Sequence, residues 1–402
     1  MALDTAAAVS SASARAPDHT QGAMRALILD DGLSRQSVAA ARALRSAGWT
    51  VGAGSPIRGV SAVTRAVERR HSVPLPSAGL DRFVNGVNHA VHEGAYEVVV
   101  GVRDLEVLAL SAERDRIACA VPYPPHETVV RAFDKASLYA AAAREGIAVP
   151  RVLEEAEAAQ APAVVVKARL NDPRRLHGAG FPIPARHAAG PRELADAIAR
   201  VRAVGAAPLL QERLEGDLMA VELVVDEQGE VLAQAHQVSE RIFPPGRGIS
   251  SRARTVSIDP ELAARVKDLL ARVGWSGLAQ LQFILPRDGE PSLIDFNGRI
   301  YGSIALAIAA GANLPAVWLG SATGRGGGAM VTAASGVRYQ WLWGDLRRAL
   351  AERRGGLIRD LVATLRYSRG AVQSLWHPDD PRPAIRYLRL VLARAARKRL
   401  RR

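Results

Sequence analysis

The sequence predicts a leading α/β domain, an α+β body behind it and a small helical appendage at the C-terminus. Three observations carry that prediction. Arg25-Ala-Leu-Ile-Leu29, a helical pattern over Val38 to Leu44, and Thr50-Val51-Gly52 read as strand, helix, strand, the opening of an α/β unit. Gly277-Leu-Ala-Gln-Leu-Gln-Phe-Ile-Leu285 and Leu293-Ile-Asp-Phe-Asn297 are apolar runs separated by Pro286-Arg-Asp-Gly-Glu-Pro291, turn chemistry that makes them an antiparallel pair. Beyond the glycine-rich Gly324-Arg-Gly-Gly-Gly328 the chain carries Trp341, Trp343 and Trp376, expected in the core, and then an Arg-rich amphipathic helix.

The elements follow in order. Residues 1–23, rich in Ala and Ser and without the compact apolar stretch of a secretory signal, are expected to be a disordered extension. A buried strand at Glu97-Val-Val-Val100 precedes a helix beginning at Asp104-Leu-Glu-Val-Leu108, and Pro122-Tyr-Pro-Pro125 marks a boundary. The glycines of this unit do not form GxGxxG, so a dinucleotide site has no support there. Asp134 is placed to cap a helix over Lys135 to Arg144, which ends before Gly146 and Pro150. A strand at Ala163-Val-Val-Val-Lys167 leads into residues 170–190, which lack periodicity and are expected to form a long loop. Pro191 to Val204 is helical. Leu209 to Leu214 and Met219 to Val225 are strands, and Asp226-Glu-Gln-Gly229 turns the chain into Val231 to Ala235. Pro260 to Val273 is a helix leading to the hairpin, and Tyr301 to Ala310 is a helix leaving it.

At 402 residues the chain has room for two or three compact units. A hydrophobic fraction of 48%, with no apolar stretch of spanning length, argues against a transmembrane helix. The single cysteine, Cys119, excludes an intramolecular disulfide and any multi-cysteine zinc site, and it fits a reducing compartment, so the cytoplasm is expected. The net charge of +13 is concentrated in the last twenty or so residues, where Arg386, Arg389, Arg394, Arg397, Lys398, Arg399, Arg401 and Arg402 occur with no acid among them. No zinc finger, RNP-like motif or repeat accompanies it, so nucleic acid is not an expected partner. Ile385, Leu388, Val391, Leu392 and Ala395 fall at helical spacings beside these arginines. That leaves two readings, a helix packed on the body or weak contact with an anionic membrane surface.

The chemistry gathers on the hairpin. Period-two alternation puts Asp295 and Asn297 on one face of their strand, with Ile294 and Phe296 directed to a core, and puts Gln280 and Gln282 together on the other strand. A carboxylate and amide oxygens beside Arg299 supply hard oxygen ligands next to a cation, a set suited to Mg²⁺ carrying phosphates. A carboxylate between two apolar residues would also be costly to bury without a partner.

The order of Phe133-Asp-Lys135, strand-end Lys167, Gln211-Glu212 before Gly216, and Asp295-Phe-Asn-Gly-Arg299 resembles the ATP-grasp superfamily, in particular carboxylate-amine ligases of the carbamoyl-phosphate-synthase-like branch. The resemblance spans roughly residues 25–325, and Ile300-Tyr-Gly-Ser-Ile-Ala-Leu-Ala-Ile-Ala-Ala-Gly-Ala-Asn-Leu-Pro315 adds to it. It implies a preceding domain over 24–128, a clamp with an N-terminal subdomain over 129–205 and a C-terminal one over 206–328 bearing the metal site, and the appendage over 329–402. It further implies that ATP and Mg²⁺ (or Mn²⁺) are used to join a small-molecule carboxylate to an amine through an acyl-phosphate, and that the protein could be a homodimer. Lys135 and Lys167 would hold phosphates. Gln211 and Glu212 would sit at the hinge with Glu212 contacting adenine, and Glu215 or Asp217 would meet the ribose. Gln282, Asp295 and Asn297 match the metal-ligand positions. Arg299 would stabilise the acyl-phosphate and the tetrahedral intermediate, and Arg241, in the run Gln237-Val-Ser-Glu-Arg241 through Gly246-Arg-Gly-Ile-Ser250 that resembles a loop near the acceptor, would grip a substrate carboxylate.

Two departures accompany the resemblance. The family usually has a carboxylate where Gln282 stands, so one negative charge is missing and Mg²⁺ binding should be weaker. Where relatives carry a glycine-rich lid, this chain has Gly178-Ala-Gly180 beside Arg174, Arg175 and His177, which either bind phosphate or are solvated loop charges. A chain that kept the clamp but lost the chemistry, and an interaction protein acting through its basic tail, are the other classes these features leave open.

Overall fold

The computed structural model describes residues 24–170, 184–246, 248–287 and 289–400. The extension 1–23, the segment with Arg174, Arg175, His177 and Gly178 to Gly180, and Arg401 and Arg402 of the tail lie outside the described residues.

The leading domain opens with β1 (Arg25–Leu29), α1 (Arg35–Ser46) and β2 (Thr50–Ser55), followed by β3 (Arg69–Ser72), α2 (Leu80–Gly94), β4 (Val98–Gly101) and α3 (Asp104–Ala112). Its four strands form a parallel sheet in the order β3-β2-β1-β4. Leu27, Ile28, Val98, Val99 and Val100 are almost wholly buried, as strands covered on both faces require. Sequence reading passed over β3 and α2. Arg69-Arg-His-Ser72 is a polar edge strand, and α2 carries Gly86, Asn85 and Asn88, which blunt a helical signal although Phe83, Val84, Val87, Ala90 and Val91 share its buried face.

Helices α4 (His126–Phe133) and α5 (Lys135–Arg144) link this domain to the next layer. Asp134 caps α5 as expected, its Oδ1 accepting from the Ser137 amide at 2.9 Å, while Oδ2 accepts from Arg169 Nε at 2.8 Å. After α6 (Glu155–Gln160), the strands β5 (Val164–Ala168), β6 (Arg186–Ala188) and β7 (Pro208–Glu212) form a small antiparallel sheet in the order β6-β5-β7. α7 (Pro191–Arg202) covers it: Val164 and Val166 point to Leu194, Ala197, Ile198 and Val201, which leaves Val165 and Lys167 on the opposite face.

A large sheet faces that surface. It contains β8 (Asp217–Val225), β9 (Val231–Phe243), β10 (Ile249–Val256), β11 (Gly277–Leu285) and β12 (Ser292–Asn297), with α8 (Pro260–Val273) inserted before β11. Asp226 organises the β8–β9 turn by accepting from the Gln228 and Glu230 amides at 3.0 and 2.8 Å, and Gly229 supplies the positive φ of 84°. The hairpin β11–β12 is antiparallel, with Gln280 opposite Asn297 and Gln282 opposite Asp295. Leu281 and Phe283 are fully buried, as the alternation predicts. The register shifts after Gln282, so that Leu293 is the residue opposite Phe283. Leu293 and Phe296 therefore enter the core, whereas Ile294, expected there, lines the cleft described below.

The chain then forms α9 (Ile304–Ala309) and α10 (Leu314–Ala322). Residues 329–402 are mostly helical, as expected of the appendage, and they also add short strands to the large sheet. They comprise β13 (Val331–Thr332), β14 (Arg338–Gln340), α11 (Leu342–Glu352), α12 (Leu357–Ser368), β15 (Ala371–Gln373) and α13 (Arg382–Leu400). The strand path is β12-β11-β8-β9-β10-β14-β15, with β13 paired to β9. Three-residue strands lie below the length at which alternation can be read. Trp341 is buried as expected, but Trp376 is 52% exposed and is no core residue.

Candidate active site

The free face of the β6-β5-β7 sheet and the large sheet enclose a cleft of about 390 Å³. Val165, Lys167, Gln211, Arg213 and Leu214 come from one side, and Leu218, Ile242, Ile249, Gln282, Ile284, Asp295, Asn297 and Arg299 from the other. Asp104, at the start of α3, and Lys135, at the start of α5, close one end.

Within the cleft Lys135 pairs with Asp295 and Arg299 with Asp104. Lys135 Nζ lies 3.1 Å from Asp295 Oδ1. Burial works against the Lys135 charge, but Asp295 and Asp104 hold its pKa above the ordinary lysine value. For Asp295 burial pushes upward, and Lys135 and Lys167 overcome it, so the carboxyl stays ionised below its usual range. Lys167 is only 8% exposed and donates to the Ile294 carbonyl at 2.9 Å. Burial, reinforced by Lys135 and opposed by Asp295, lowers its pKa to about 8. A lysine held this way gains from any anion that arrives.

Behind these groups runs a hydrogen-bonded chain that links the core to the cleft. Gln280 Nε2 donates to Glu222 Oε1 at 2.9 Å, Asn297 Nδ2 donates to Gln280 Oε1 at 3.1 Å, and Arg299 Nη2 donates to Asn297 Oδ1 at 2.8 Å. Arg299 Nε then donates to Asp104 Oδ1 at 2.5 Å. An amide can flip, and here the flips are set from behind: a carboxyl acceptor at Glu222 orients Gln280, and Gln280 orients Asn297 with its oxygen toward Arg299. Glu222 is 1% exposed, and burial pushes its pKa up to about 8.

The sequence-derived candidates divide on this geometry. Lys135, Lys167, Gln211, Gln282, Asp295, Asn297 and Arg299 line the cleft together. The Tyr139 hydroxyl lies 2.9 Å from both Gln211 Oε1 and the Ile294 carbonyl, tying the two walls together. Glu212, Glu215 and Asp217 are not among the lining residues. Glu212 Oε1 accepts from the Arg151 amide at 2.7 Å, Glu215 is exposed on the segment joining β7 to β8, and Asp217 is exposed at the first position of β8. Arg241 is placed elsewhere. Its stretch is strand, not loop, and because Ile242 lines the cleft the neighbouring Arg241 faces away, among Arg354, Arg252 and Arg348. Burial and these cations lower its pKa. Sequence reading missed Asp104, Arg213, Tyr139 and Glu222. Asp104 was visible only as a helix start, and Glu222 only as a lone acid within an apolar strand.

Three oxygen-bearing side chains, Gln282, Asp295 and Asn297, lie on this wall, and no cluster of three or more His, Cys, Asp or Glu able to hold a metal exists among the described residues. One carboxylate with two amides fits a divalent cation that brings anionic ligands of its own. A larger cavity of about 540 Å³ lies between α1, α9 and β15; among its charged lining residues Arg42 and Asp380 pair with each other at 2.9 Å, and Ala39, Ala43, Ala66, Ala305 and Ala309 make much of its wall apolar.

A cleft clamped between a small antiparallel sheet and a large one, behind a parallel α/β domain, is the ATP-grasp fold. Residues 206–344 match the family described as ATP-grasp in the biosynthetic pathway with Ter operon. It is similar to the biotin carboxylase domain of Hydrogenobacter thermophilus 2-oxoglutarate carboxylase in complex with MgADP, ADP and bicarbonate, with a TM-score of 0.61 and 14% identity over 79% of this chain and 74% of that one. An L-amino acid ligase from Bacillus licheniformis aligns with a TM-score of 0.54 and 17% identity, covering 75% of each chain. An ADP complex of N5-carboxyaminoimidazole ribonucleotide synthetase aligns with a TM-score of 0.56 and 13% identity, covering 83% of this chain and 85% of that one. No curated protein sequence matches the chain significantly.

Proposed function

We propose that the protein is an ATP-dependent ligase that activates a carboxylate as an acyl-phosphate and joins it to an amine. The observation that carries this reading is the convergence of Lys135, Lys167, Asp295, Gln282, Asn297 and Arg299 on one cleft between the two sheets. An L-amino acid ligase and two nucleotide complexes among the similar structures support it.

In this mechanism a substrate carboxylate oxygen attacks the γ-phosphorus of ATP and ADP leaves. The amine nitrogen then attacks the acyl carbon, phosphate departs and the amine gives up a proton. Lys135 and Lys167 neutralise phosphate charge, as compact cations suited to a site without fixed planar geometry. Arg299, held by Asp104 and Asn297, presents a guanidinium to the oxyanion of the tetrahedral intermediate. Asp295, Gln282 and Asn297 would hold Mg²⁺ or Mn²⁺, which supplies Lewis-acid neutralisation of the phosphates when bound. The walls of the cleft keep water from the acyl-phosphate, and the chain's main contribution is positioning and charge.

A coupled ADP-release screen over carboxylates and amines, with Mg²⁺ or Mn²⁺, tests this. Release that depends on both substrates is expected, and Asp295→Ala should abolish it; turnover near wild type in that variant would refute the metal assignment. Gln282, in place of a carboxylate, favours a second reading, a nucleotide-binding protein without catalysis. ATP binding with no substrate-dependent ADP release would support that alternative.

A further inference from the structure

Helix α12 is amphipathic in the inverted sense. Its inward face carries Asp360 and Thr364, 5% and 0% exposed, whereas Ile358, Val362 and Leu365, at i, i+4 and i+7, are 79%, 40% and 55% exposed. An ordinary surface helix would turn that stripe to the core. This one is held the other way by buried ionic contacts. Arg348 of α11 donates to Asp360 Oδ1 at 2.7 Å and to Asp345 Oδ1 at 2.8 Å, and Arg252 of β10 donates to Asp345 Oδ2 at 2.6 Å and Thr364 Oγ1 at 2.9 Å. Rolling α12 to bury Ile358 would break these contacts and leave charges unpaired in the interior.

The surroundings of the stripe are cationic. Arg347, Arg353, Arg354, Arg359, Arg366 and Arg369 are all exposed. The two acids between residues 346 and 370, Glu352 and Asp360, are both engaged by arginines of the same hairpin. The last helix repeats the pattern: Ile385, Leu388 and Leu392 are 45%, 41% and 54% exposed, and no acid follows Asp380 in the sequence. Tyr387, near its root, faces Trp341 and Arg347 at the start of α11.

We propose that the α11–α12 hairpin is a docking face for an anionic lipid surface. Charge selects this occupant. A second copy would bring the same arginines and repel, whereas acidic headgroups neutralise them while the Ile358, Val362 and Leu365 stripe enters the acyl boundary. Arginine suits the position because its alkyl stem can lie along the apolar layer with the guanidinium at headgroup level. No helix among the described residues is long and apolar enough to cross a membrane, so the contact is peripheral.

Cosedimentation of the full chain with vesicles of phosphatidylcholine alone, or of phosphatidylcholine with phosphatidylglycerol, tests the assignment. The wild type should bind only the anionic vesicles, and added salt should weaken binding. Ile358→Asp with Leu365→Asp should weaken it at least ~10-fold, since it removes the apolar insertion and adds repulsion. Arg359→Gln with Arg366→Gln should weaken it several-fold. All four positions are exposed and outside the cleft, so melting temperature and nucleotide binding serve as controls for folding. Absence of binding to anionic vesicles, or binding unchanged in the Asp variant, overturns the proposal. So does a wild-type dimer that the Asp variant converts to monomer, which would identify a second copy as the occupant, or capture of an acidic protein in preference to the vesicles.

Discussion

Replacing Glu222 by Gln should make the protein more stable at neutral pH while leaving its cleft organised. Burial raises the Glu222 pKa from the ordinary 4.5 to about 8, with the Gln280 hydrogen bond opposing the shift. Between those values the folded state keeps a proton that the unfolded chain has released. The stability this group contributes is therefore fully present below about pH 4.5 and is lost as pH rises through about 8. At pH 7 the accumulated loss is roughly 3 kcal/mol, from about 1.4 kcal/mol per unit of pKa difference. Gln cannot ionise, yet its carbonyl can still accept from Gln280. Denaturant melts from pH 5 to 8.5 should show wild-type stability falling relative to Glu222→Gln, with the variant ahead by about 3–4 kcal/mol near pH 7.5. Calorimetry should give both proteins similar Mg-ADP affinity. Glu222→Leu separates the two roles. It also removes the titration, but it deprives Gln280 of its acceptor, frees the Asn297 amide to flip and should weaken Mg-ADP by about 10-fold, the equivalent of one hydrogen bond. Parallel pH–stability curves for wild type and Glu222→Gln, or a Leu variant that binds Mg-ADP as wild type does, would refute the reasoning.

Other expectations follow from the same structure. Lys167 should make nucleotide affinity pH-dependent: with its pKa lowered to about 8, affinity falls as pH rises through that value, by up to about 10-fold per unit, and Lys167→Arg flattens the profile in calorimetric titrations between pH 7 and 9.5. Arg299→Lys should lower kcat about 100-fold or more in the ADP-release assay with little change in melting temperature, because a point charge cannot serve Asp104, Asn297 and an oxyanion together. Arg241→Ala should leave kcat and KM within about 2-fold of wild type, since the side chain faces away from the cleft. Arg348→Met should cost about 3–5 kcal/mol in denaturant melts by leaving Asp360 buried without its guanidinium partner and Asp345 with Arg252 as its one remaining cation.

What could be read in the sequence was local. The helices Lys135–Arg144 and Pro260–Val273 have the boundaries that Asp134 and Asp259 set as caps, with Pro260 at the first position of the second, and the β11–β12 hairpin follows from two apolar runs around a turn. Asp295, Asn297 and Arg299 were legible for the same reason: one short strand fixes their relative facing. Lys135 and Lys167 were legible only by their order along the chain. Nothing local says that a lysine at a helix start and another at a strand end meet a carboxylate more than a hundred residues away.

Where local rules failed, tertiary partners had outweighed them. Alternation assigned Ile294 to the core, but the register shift after Gln282 turned it into the cleft, where its carbonyl receives Lys167. Arg241 was read as part of a loop, and a continuous strand put it on the other face of the sheet. Helix α12 is the sharpest case, because its apolar period is sound and would have placed Ile358, Val362 and Leu365 inside. The buried guanidiniums of Arg348 and Arg252, with Asp345 and Asp360, reverse that orientation, and such a network cannot be inferred from residues spread over three elements. The same holds for Glu222, whose lone carboxyl in an apolar strand looks like an error of patterning until Gln280, Asn297 and Arg299 are seen in line with it. In both cases a buried polar group that weakens the local pattern fixes an orientation: at Glu222 the amides behind the cleft, and at Arg348 the face that α12 presents to its surroundings. Those are the two places where substitution should separate stability from function.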